Sequence, residues 1–273
     1  MLGPTRRVQC KAWRPSGLAG SERTIPEEAA IAFTYNGSSY AVMMATPRDL
    51  DDFALGFSLT EGIIKSPNEI ESLEIVEEAI GIELRMRLTE PHATAFRERR
   101  RYLAGPTGCG LCGIESLSEA MRAPATISEE GTIAPRDIMA ALDALYSGQA
   151  INQSTRAVHG AAFYRHGEGL VALREDVGRH NALDKLAGAL ARKGLRGRGG
   201  FGLLTSRLSV ELVQKAAAIG IPVLVAVSAP TALAVRTADA CGITLIAVAR
   251  SDGFEIFTHP KRIKQEQAVH VLA

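Results

Sequence analysis

The chain has 273 residues, of which 46% are hydrophobic and 22% charged, a composition typical of a soluble globular protein with one large domain or two smaller ones. The formal net charge of +1 gives no global attraction to nucleic acid or membranes, so we expect neither as a partner, and any anion site must be a local patch. Four cysteines without regular spacing form no disulfide framework, which fits a reducing compartment.

No targeting or membrane segment is expected. The amino terminus lacks the apolar core of a signal peptide. The most apolar run, residues 219–235, contains two prolines and is shorter than the roughly 20 residues that a membrane span needs. We therefore predict a cytoplasmic protein.

Residues 1–104 are predicted to form a small α+β domain. Asn36-Gly37 lies between two apolar runs, which is a strong signal for a β-hairpin. Thr46-Pro47 predicts the start of a helix that ends near Gly62. The remaining segments are one strand within an otherwise loose amino-terminal arm, the two hairpin strands and a second strand pair: Arg7–Trp13, Ala29–Tyr35, Ser39–Ala45, Glu71–Glu78 and Ile82–Thr89.

Residues 105–113, GPTGCGLCG, are predicted to form a mobile loop that exposes two thiols. Cys109 and Cys112 have two residues between them and are surrounded by four glycines and one proline, so few side chains cover the sulfurs. A helix is expected at Ile114–Met121. Its positive amino end would lower the pKa of a nearby thiol and favour the reactive thiolate.

Several uses of such a thiol pair are open. A structural zinc site needs four ligands, but Cys10 and Cys241 are isolated, and we expect no metal held by the protein itself. A thioredoxin-type redox pair would follow a strand, whereas the charged run Phe96–Arg101 precedes this one. A persulfide carrier needs one nucleophilic cysteine in an exposed loop near an acceptor site. Two unreactive cysteines are disfavoured, because exposed free thiols are a liability unless they are used.

Residues 114–273 are predicted to form a larger α/β domain. Strands alternate with helices there, which indicates a largely parallel sheet whose ligands bind beyond the carboxyl ends of the strands. The predicted strands are His159–Tyr164, Gly169–Arg174, Gly202–Thr205, Pro222–Val227, Thr244–Ala249 and Gly253–Phe257. The predicted helices are Pro135–Tyr146, Asn181–Arg192, Ser209–Ile219 and Thr231–Ala240.

Two strand-to-helix junctions offer anion sites. Arg179 and His180 stand where backbone N–H groups open a helix. The same segment also fits simple capping, with Asp176 or Asn181 as the N-cap, and the two interpretations stay open. Arg207 stands beside the next strand end, before another helix start.

The segment Phe257–Arg262, FTHPKR, ends the last predicted strand. It combines an aromatic face, a hydroxyl, a histidine and two cations. This set suits a purine nucleotide, with stacking on Phe257 or His259 and charge pairing of phosphates to Lys261 and Arg262. A basic strand exit without a ligand is the alternative.

With these motifs in place, the chain resembles the FdhD family, the formate dehydrogenase accessory sulfurtransferases. The matching stretches follow the family's order over nearly the whole chain: Met43–Ile64, Gly108–Gly113, VHGAAF around His159, Arg174–Lys185, Thr205–Ala217 and FTHPKR. Each stretch alone is weak evidence for the family, and together the stretches are specific for it. One departure is Arg156-Ala157, where the family pattern has a glycine pair, and it leaves the role of His159 open.

The resemblance implies a function. Members of the family take sulfur from a cysteine desulfurase as a persulfide. They deliver it to the molybdenum (or tungsten) bis-molybdopterin guanine dinucleotide cofactor, which formate dehydrogenase requires in sulfurated form. The resemblance thus implies a sulfurtransferase whose partners are a cysteine desulfurase and the formate dehydrogenase apoprotein. It also implies a cytidine-deaminase-like three-layer α/β/α fold for the larger domain, and we expect a homodimer.

The resemblance also implies roles for individual residues. Cys109 would carry the persulfide, and Cys112 would assist. The expected cofactor-binding set is Phe257, Thr258, His259, Pro260, Lys261 and Arg262 at the guanine dinucleotide, to which we add Arg207 and His180.

Two rival functions are considered. A zinc deaminase would carry H-x-E upstream of P-C-x-x-C, but His92 is followed by Ala-Thr and Pro106 lies three residues before Cys109. Deamination is therefore not expected. The other rival is a cofactor-binding chaperone for apo-formate dehydrogenase that transfers no sulfur and in which the cysteines only dock. Transfer of labelled sulfur distinguishes a carrier from a chaperone.

Overall fold

The computed structural model describes residues 2–90, 92–93, 124–128 and 131–265. The predicted loop at 105–113 with Cys109 and Cys112, and the helix predicted at Ile114–Met121, lie outside these residues. The same holds for the predicted domain boundaries next to that loop, so the division of the chain at 104 and 114 stays a prediction.

The amino-terminal part contains a ribbon of two strands and a sheet of four. The ribbon pairs β1, Thr5–Arg14, with β2, Gly17–Pro26, along their whole antiparallel length. The sheet consists of β3 (Ala29–Tyr35), β4 (Ser38–Ala45), β5 (Ile70–Glu78) and β6 (Gly81–Leu88), in the order β4-β3-β6-β5. The helix α1, Leu50–Thr60, lies on this sheet, and a short 3₁₀ helix follows at Pro67–Glu69.

The local signals of this part are confirmed, with one correction. Asn36 and Gly37 have φ angles of 50° and 76°, the left-handed pair that a two-residue hairpin turn requires. The prediction of a loose amino-terminal arm is wrong for the second half of that arm, because residues 17–26 form β2. Gly17, Gly20 and Pro26 mask that strand in the sequence, and its exposure on both faces removes the alternation that marks a half-buried strand.

Six strands and five helices follow in the larger described part. The strands are β7 (His159–Arg165), β8 (Gly169–Asp176), β9 (Phe201–Leu204), β10 (Val223–Ala226), β11 (Thr244–Arg250) and β12 (Gly253–Ile256). The helices are α2 (Pro135–Gly148), α3 (Ala150–Thr155), α4 (Arg179–Arg192), α5 (Val210–Ala218) and α6 (Ala232–Cys241). A 3₁₀ helix at Pro260–Arg262 comes after β12.

The six-stranded sheet has the order β12-β11-β10-β9-β7-β8 and is mixed. The strands β9, β10 and β11 are parallel to one another, whereas β7 is antiparallel to β9 and to β8, and β12 is antiparallel to β11. The predicted largely parallel sheet is therefore wrong at its two sides. The connections 166–168 and 251–252 are too short for a crossover, so β8 and β12 must return antiparallel.

Helices cover both faces of this sheet. Apolar residues of α4, α5 and α6 form one core with the first face, and α2 forms a second core with the other face. The three-layer α/β/α arrangement is thus confirmed within a mixed α/β protein. No helix in the described part of the chain is long and apolar enough to cross a membrane.

The two parts meet where α1 crosses α4. At Gly56 of α1, a Cβ atom would collide with the carbonyl oxygen of Asp184, and at Gly188 of α4 it would collide with the carbonyl oxygen of Asp52. The two helix backbones therefore touch, and only glycine permits this approach at either position. As a result, α1 is held between its own sheet and the larger part.

Candidate functional site

A buried ion pair at the contact between the two parts centres on Lys185. Its ammonium donates to Oδ2 of Asp176 at 2.6 Å and to the carbonyl oxygen of Thr46 at 2.8 Å. Asp176 also accepts from the Thr46 amide at 3.0 Å and, through Oδ1, from the Gly178 amide and the Asn181 side chain. Burial lowers the pKa of Lys185, and the Asp176 carboxylate opposes that change. Both charged groups thus have partners from both parts of the chain.

Lys215 of α5 forms a second ion pair, with Asp184 of α4 and the end of α1. Its ammonium lies 2.9 Å from Oδ1 of Asp184, 2.7 Å from Oε1 of Glu61 and 3.1 Å from Oγ1 of Thr60. Burial alone would lower the pKa of Lys215, but Asp184 and Glu61 outweigh it and raise that pKa. The ammonium therefore stays charged and ties three helices together.

Asp52 of α1 makes the third link. It is 4% exposed, and Arg174 donates to Oδ2 through Nη2 at 2.6 Å. Arg192 approaches Oδ1 at 3.3 Å. These three links use charged residues of the stretches Met43–Ile64, Arg174–Lys185 and Thr205–Ala217, so much of the charge in those motifs serves internal contacts.

The helices α4 and α5 begin side by side near the carboxyl end of β9. Four residues there form what we call the strand-end cluster: Arg179, His180, Ser209 and Glu211. The N-cap positions are Gly178 and Ser209, and neither helix start has a side-chain cap. Capping by Asp176 or Asn181 is not found, because these two side chains bond to each other and toward the α1 side. The uncapped amides give this point a positive potential.

The strand-end cluster also concentrates buried polar atoms that lack partners. Among the residues that the structure describes, seven buried side-chain nitrogen or oxygen atoms have no partner within hydrogen-bonding geometry, and four belong to this cluster: Arg179 Nε, His180 Nε2, Ser209 Oγ and Glu211 Oε2. The Ser209 hydroxyl still lies close enough to the Glu211 carboxylate to help lower its pKa, so the strongest case for a missing partner is at Arg179 and His180. The closest approach of His180 Nε2 to Glu211 Oε2 is 4.0 Å. Buried polar groups in folded proteins are almost always bonded, so this concentration is typical of a site for a polar ligand.

Both histidines near this point are neutral at neutral pH. Burial, with Arg179 and Lys215 nearby, lowers the pKa of His180 to about 4. Burial and the charge of Arg179 also lower the pKa of His159, which starts β7 beside the end of β9. A neutral imidazole can donate one hydrogen bond and accept another. His180 can therefore hydrogen-bond to a ligand while it carries no charge of its own.

Arg207 lies at the same end of the sheet as His180. It follows β9 and is exposed, so it adds positive charge at the rim. The Thr205 side chain makes a structural contact, since its Oγ1 accepts a hydrogen bond from the Gly160 amide at 2.9 Å. Two of the eight predicted cofactor-binding residues, Arg207 and His180, are therefore placed around one site.

The other six, Phe257–Arg262, lie elsewhere. The hydroxyl of Thr258 is buried, donates to the Ile243 carbonyl at 2.7 Å and accepts from the Leu245 amide at 2.8 Å. Arg262 donates to the carbonyl oxygen of Gly242, so part of the hydrogen-bonding capacity of its guanidinium is used within the fold. Phe257 is 38% exposed, and Lys261 is exposed as well.

Within one chain, these two groups lie at opposite ends of the sheet. Thr258 bonds to the start of β11, whereas Arg207 follows the end of β9, which runs in the same direction as β11 through β10. The reason is that β12 is antiparallel to β11 and carries the segment after it back to the amino end. A single chain therefore does not bring all eight predicted residues together.

Several charged residues near the site were not predicted from the sequence to have a role. Asp184 and Lys185 stand inside the buried run Ala182–Leu190, where charged side chains need partners. That position in an apolar helix face is a signal for buried ion pairs, but it does not identify the partners. Among the described residues, no group of three or more histidine, cysteine or acidic side chains is placed to hold a metal ion.

Comparison with known proteins places these observations in a family. Residues 26–264 match the model of the FdhD/NarQ family. The chain is 56% identical over 259 residues to Sulfur carrier protein FdhD of Agrobacterium fabrum, covering 94% of this chain and 96% of that protein. It is 54% identical to the protein of the same name from Brucella abortus, over 95% of this chain and 97% of the relative.

A solved structure shows the same fold. A candidate formate dehydrogenase accessory protein from Desulfotalea psychrophila superimposes with a TM-score of 0.77, over 95% of this chain and 99% of that one. The sequence identity is 24%, so this likeness concerns the fold alone.

Proposed function

The chain belongs to the FdhD/NarQ family, and from that premise we propose that it carries sulfur from a cysteine desulfurase to the cofactor of a formate dehydrogenase. The observation that carries this proposal is the near-full-length identity of 54% and 56% to relatives named as sulfur carriers. The strand-end cluster supports it, because an acceptor with phosphate groups suits two uncapped helix starts beside Arg207.

The sulfur step uses Cys109 first. Its thiolate attacks the terminal sulfur of the desulfurase persulfide, a new S–S bond forms on Cys109, and the desulfurase cysteine leaves as a thiolate. Cys112 then attacks Sγ of Cys109, so a Cys109–Cys112 disulfide forms and the terminal sulfur leaves as hydrosulfide for the acceptor cofactor. The sulfur gains the two electrons that the two thiolates lose. A cellular thiol reductant restores the pair.

The acceptor is a molybdenum bis-molybdopterin guanine dinucleotide, bound as a substrate. The Arg179 guanidinium, the Ser209 hydroxyl and the open amides of both helices supply donors for phosphate oxygens. Glu211 supplies an acceptor for the N–H groups of a guanine or the hydroxyls of a ribose. Phe257 and Lys261, at the other end of the sheet, remain a separate candidate for the guanine end.

The sulfur step is tested with labelled sulfur. Cys109→Ala should abolish transfer of label from a cysteine desulfurase to the chain, and Cys112→Ala should leave label on Cys109 but slow its release. Cys10→Ser is the matched control, because Cys10 is an exposed free cysteine on the ribbon. If Cys109→Ala still accepts label while Cys10→Ser does not, the assignment of Cys109 fails. Cofactor binding without any label on the chain would favour the chaperone instead.

Binding of the guanine end is tested with GDP. Lys261→Ala together with Arg262→Ala should weaken GDP binding, and more at low salt, where charge pairing is least screened. Because Arg262 also bonds to Gly242, Lys261→Ala alone is the cleaner variant. Arg207→Ala reports on the strand-end cluster in the same titration. Unchanged affinity for the Lys261 variants, with loss for Arg207→Ala, would move the nucleotide site to the strand-end cluster.

A further inference from the structure

The amino-terminal ribbon offers a surface that the sulfur chemistry does not use. Its strands β1 and β2 pair with each other over their whole length, and no residue of either strand is buried. A two-stranded ribbon is only marginally stable in water unless another surface covers it. The match to the family model begins at residue 26, where the ribbon ends. The ribbon is therefore an exposed arm, and a second molecule is the natural cover for it.

The tip of the ribbon carries two large apolar side chains. Trp13 and Leu18 are directly paired across the two strands, and they are 75% and 63% exposed. Leaving this apolar surface in water costs free energy, which contact with an apolar cleft would recover. Tryptophan is also among the residues that contribute most to binding at protein interfaces. The tip pair thus has the chemistry of an anchor for a partner protein.

The outer half of the ribbon is basic. Residues 8–21 include Lys11 and Arg14 and contain no aspartate or glutamate. Lys11 lies on the same face of β1 as the tryptophan, and Arg14 lies on the other face, because side chains alternate along a strand. The carboxylate of Glu22 lies nearer the base, 3.9 Å from Arg7. The surface complementary to the tip is therefore an apolar cleft with an acidic rim.

The base of the ribbon is anchored near the strand-end cluster. Arg23 of β2 reaches the carbonyl oxygen of Thr155, the last residue of α3, at 3.5 Å. Four residues later His159 begins β7, beside the carboxyl end of β9. The strand-end cluster lies at that same edge of the sheet, whereas Phe257–Arg262 lies at the opposite edge. A partner held by the ribbon is thus close to the strand-end cluster.

We propose that the ribbon docks the protein that receives the sulfurated cofactor, by placing its tip pair in an apolar cleft with an acidic rim. This inference rests on the proposed function, under which the recipient is the formate dehydrogenase apoprotein and the acceptor cofactor lies at the strand-end cluster. A ribbon anchored at that edge holds the recipient beside the cofactor that it takes over. The cysteine desulfurase, a membrane and a nucleic acid are the other partners that the test must separate.

A protein partner fits the tip better than a membrane or a nucleic acid does. The two apolar side chains give less apolar surface than a single fatty chain, which by itself binds membranes only marginally. Binding of nucleic acid depends on neutralising many phosphates, and residues 8–21 supply two cations. Tryptophan and arginine together are instead the side chains most enriched in protein binding hot spots.

The size of the contact suits a transient complex. At about 3.3 Å per residue, the outer seven residues of each strand extend about 23 Å. A ribbon about 10 Å wide offers about 230 Å² on each face, and about 460 Å² when a cleft covers both faces. A standard interface buries about 800 Å² per partner, and smaller ones belong to transient encounters. A carrier that must release its recipient needs a contact of this size.

Fluorine NMR follows the tip directly, because Trp13 is the single tryptophan of the chain. The full chain labelled with fluorotryptophan gives one resonance, which should shift as purified apo-formate dehydrogenase is added at a fixed concentration of the chain. Cysteine desulfurase, anionic lipid vesicles and a single-stranded oligonucleotide should leave the resonance in place. A resonance that does not move with apo-formate dehydrogenase, or that moves as far with any of the other three, would overturn the proposal.

Binding kinetics on immobilised apo-formate dehydrogenase separate the anchor from the charge. Trp13→Ser together with Leu18→Ser should weaken the affinity roughly 100-fold without unfolding the chain, because both side chains are exposed. Lys11→Glu together with Arg14→Glu should slow association about tenfold at low salt, and the difference should shrink as salt rises. If both double variants bind like the unmodified chain, the ribbon is not the docking surface.

The matched control variant carries Lys193→Glu and Arg196→Glu. These residues are exposed cations that follow α4, and their reversal should leave both the affinity and the association rate unchanged. Circular dichroism checks that each variant is folded. An equal slowing of association in this control and in Lys11→Glu with Arg14→Glu would show a general effect of net charge and would overturn docking by the ribbon.

Uptake of labelled sulfur separates this inference from the proposed function. The ribbon variants should take up label from a cysteine desulfurase like the unmodified chain, because the ribbon serves the recipient. Variants that bind apo-formate dehydrogenase normally but take up no label would assign the ribbon to the desulfurase and overturn the inference alone. An unmodified chain that takes up no label, while the ribbon variants still lose affinity for apo-formate dehydrogenase, would overturn the sulfur step and leave the docking surface in place.

Discussion

Two regions of the molecule use charged residues of the same twelve-residue stretch, Arg174–Lys185. These are the ion pair of Lys185 with Asp176 and the strand-end cluster, and they differ in whether their buried polar atoms have hydrogen-bond partners. At the ion pair, both carboxylate oxygens of Asp176 have partners from two parts of the chain. One helix turn or two away, Arg179 and His180 hold buried atoms without partners. A satisfied buried charge stabilises one arrangement of the chain, whereas an unsatisfied one is available to a ligand.

The largest test of this contrast removes Lys185. Lys185→Met leaves the Asp176 carboxylate buried without its counter-charge, which should lower the free energy of unfolding by about 3–5 kcal/mol. Denaturant unfolding measures this loss. Lys193→Met, at the exposed end of the same helix, is the control and should change stability by less than about 0.5 kcal/mol. A loss below about 1 kcal/mol for Lys185→Met would mean that the ion pair is not a structural link.

The second test uses pH at the strand-end cluster. His180 has a folded pKa of about 4, below the ordinary value of 6.5, so the unfolded chain takes up the proton first as pH falls. Stability from neutral His180 is therefore complete above pH 6.5 and is lost as pH falls toward 4. At about 1.4 kcal/mol per pKa unit, the loss approaches about 3 kcal/mol.

His180→Asn isolates that contribution from other groups that titrate in acid. Unfolding free energies at several pH values between 6.5 and 4 should fall more steeply for the unmodified chain than for the variant. Parallel curves would show that His180 titrates normally and that the cluster does not bury it.

The smallest effect compares two N-cap residues. Ser209 makes no capping bond, whereas Thr231 at the start of α6 accepts from the Ala234 amide at 3.2 Å. Thr231→Ala should cost about 1 kcal/mol, the usual value of a cap. Ser209→Ala should change stability by less than about 0.5 kcal/mol, because its hydroxyl makes no capping bond.

GDP affinity distinguishes a binding role of Ser209 from a capping role. If the strand-end cluster holds the nucleotide, Ser209→Ala should weaken GDP binding although the protein is as stable as before, and Thr231→Ala should leave the affinity unchanged. Equal losses of stability for the two variants would place Ser209 among ordinary caps and remove it from the binding site.

Local features of the fold were predictable from the sequence, because they depend on neighbouring residues. The Asn36-Gly37 hairpin, α1, and the strands and helices of the larger part other than α3 follow from turn residues and apolar spacing. The contacts between Asp52 and Arg174, or between Gly56 and Asp184, join residues more than a hundred positions apart. No periodicity encodes such pairings, so the motifs that contain them read as surface charge or as anion sites.

Strand direction limited the prediction of the candidate site. The predicted strands Thr244–Ala249 and Gly253–Phe257 are only three residues apart, too close for a crossover, so the direction of β12 could have been predicted from the sequence. Because it runs antiparallel to β11, Phe257–Arg262 reaches the end of the sheet opposite to Arg207 and His180. The predicted binding set joins Phe257–Arg262, which the family resemblance implies, to Arg207 and His180 from the strand-to-helix junctions, and it therefore combines two separate surfaces. Cys109 and Cys112 lie outside the described residues, and their assignment still rests on sequence.

The glycine contact between α1 and α4 has a consequence for protein engineering. Because each glycine faces a backbone carbonyl of the other helix, neither helix can be replaced without regard to its partner. A chimera that joins residues 2–90 of this chain to the larger part of a relative would need glycine at both positions and in the same register. The two parts therefore fit each other closely at these two glycine contacts, and recombination between relatives should succeed only where both glycines and their register are kept.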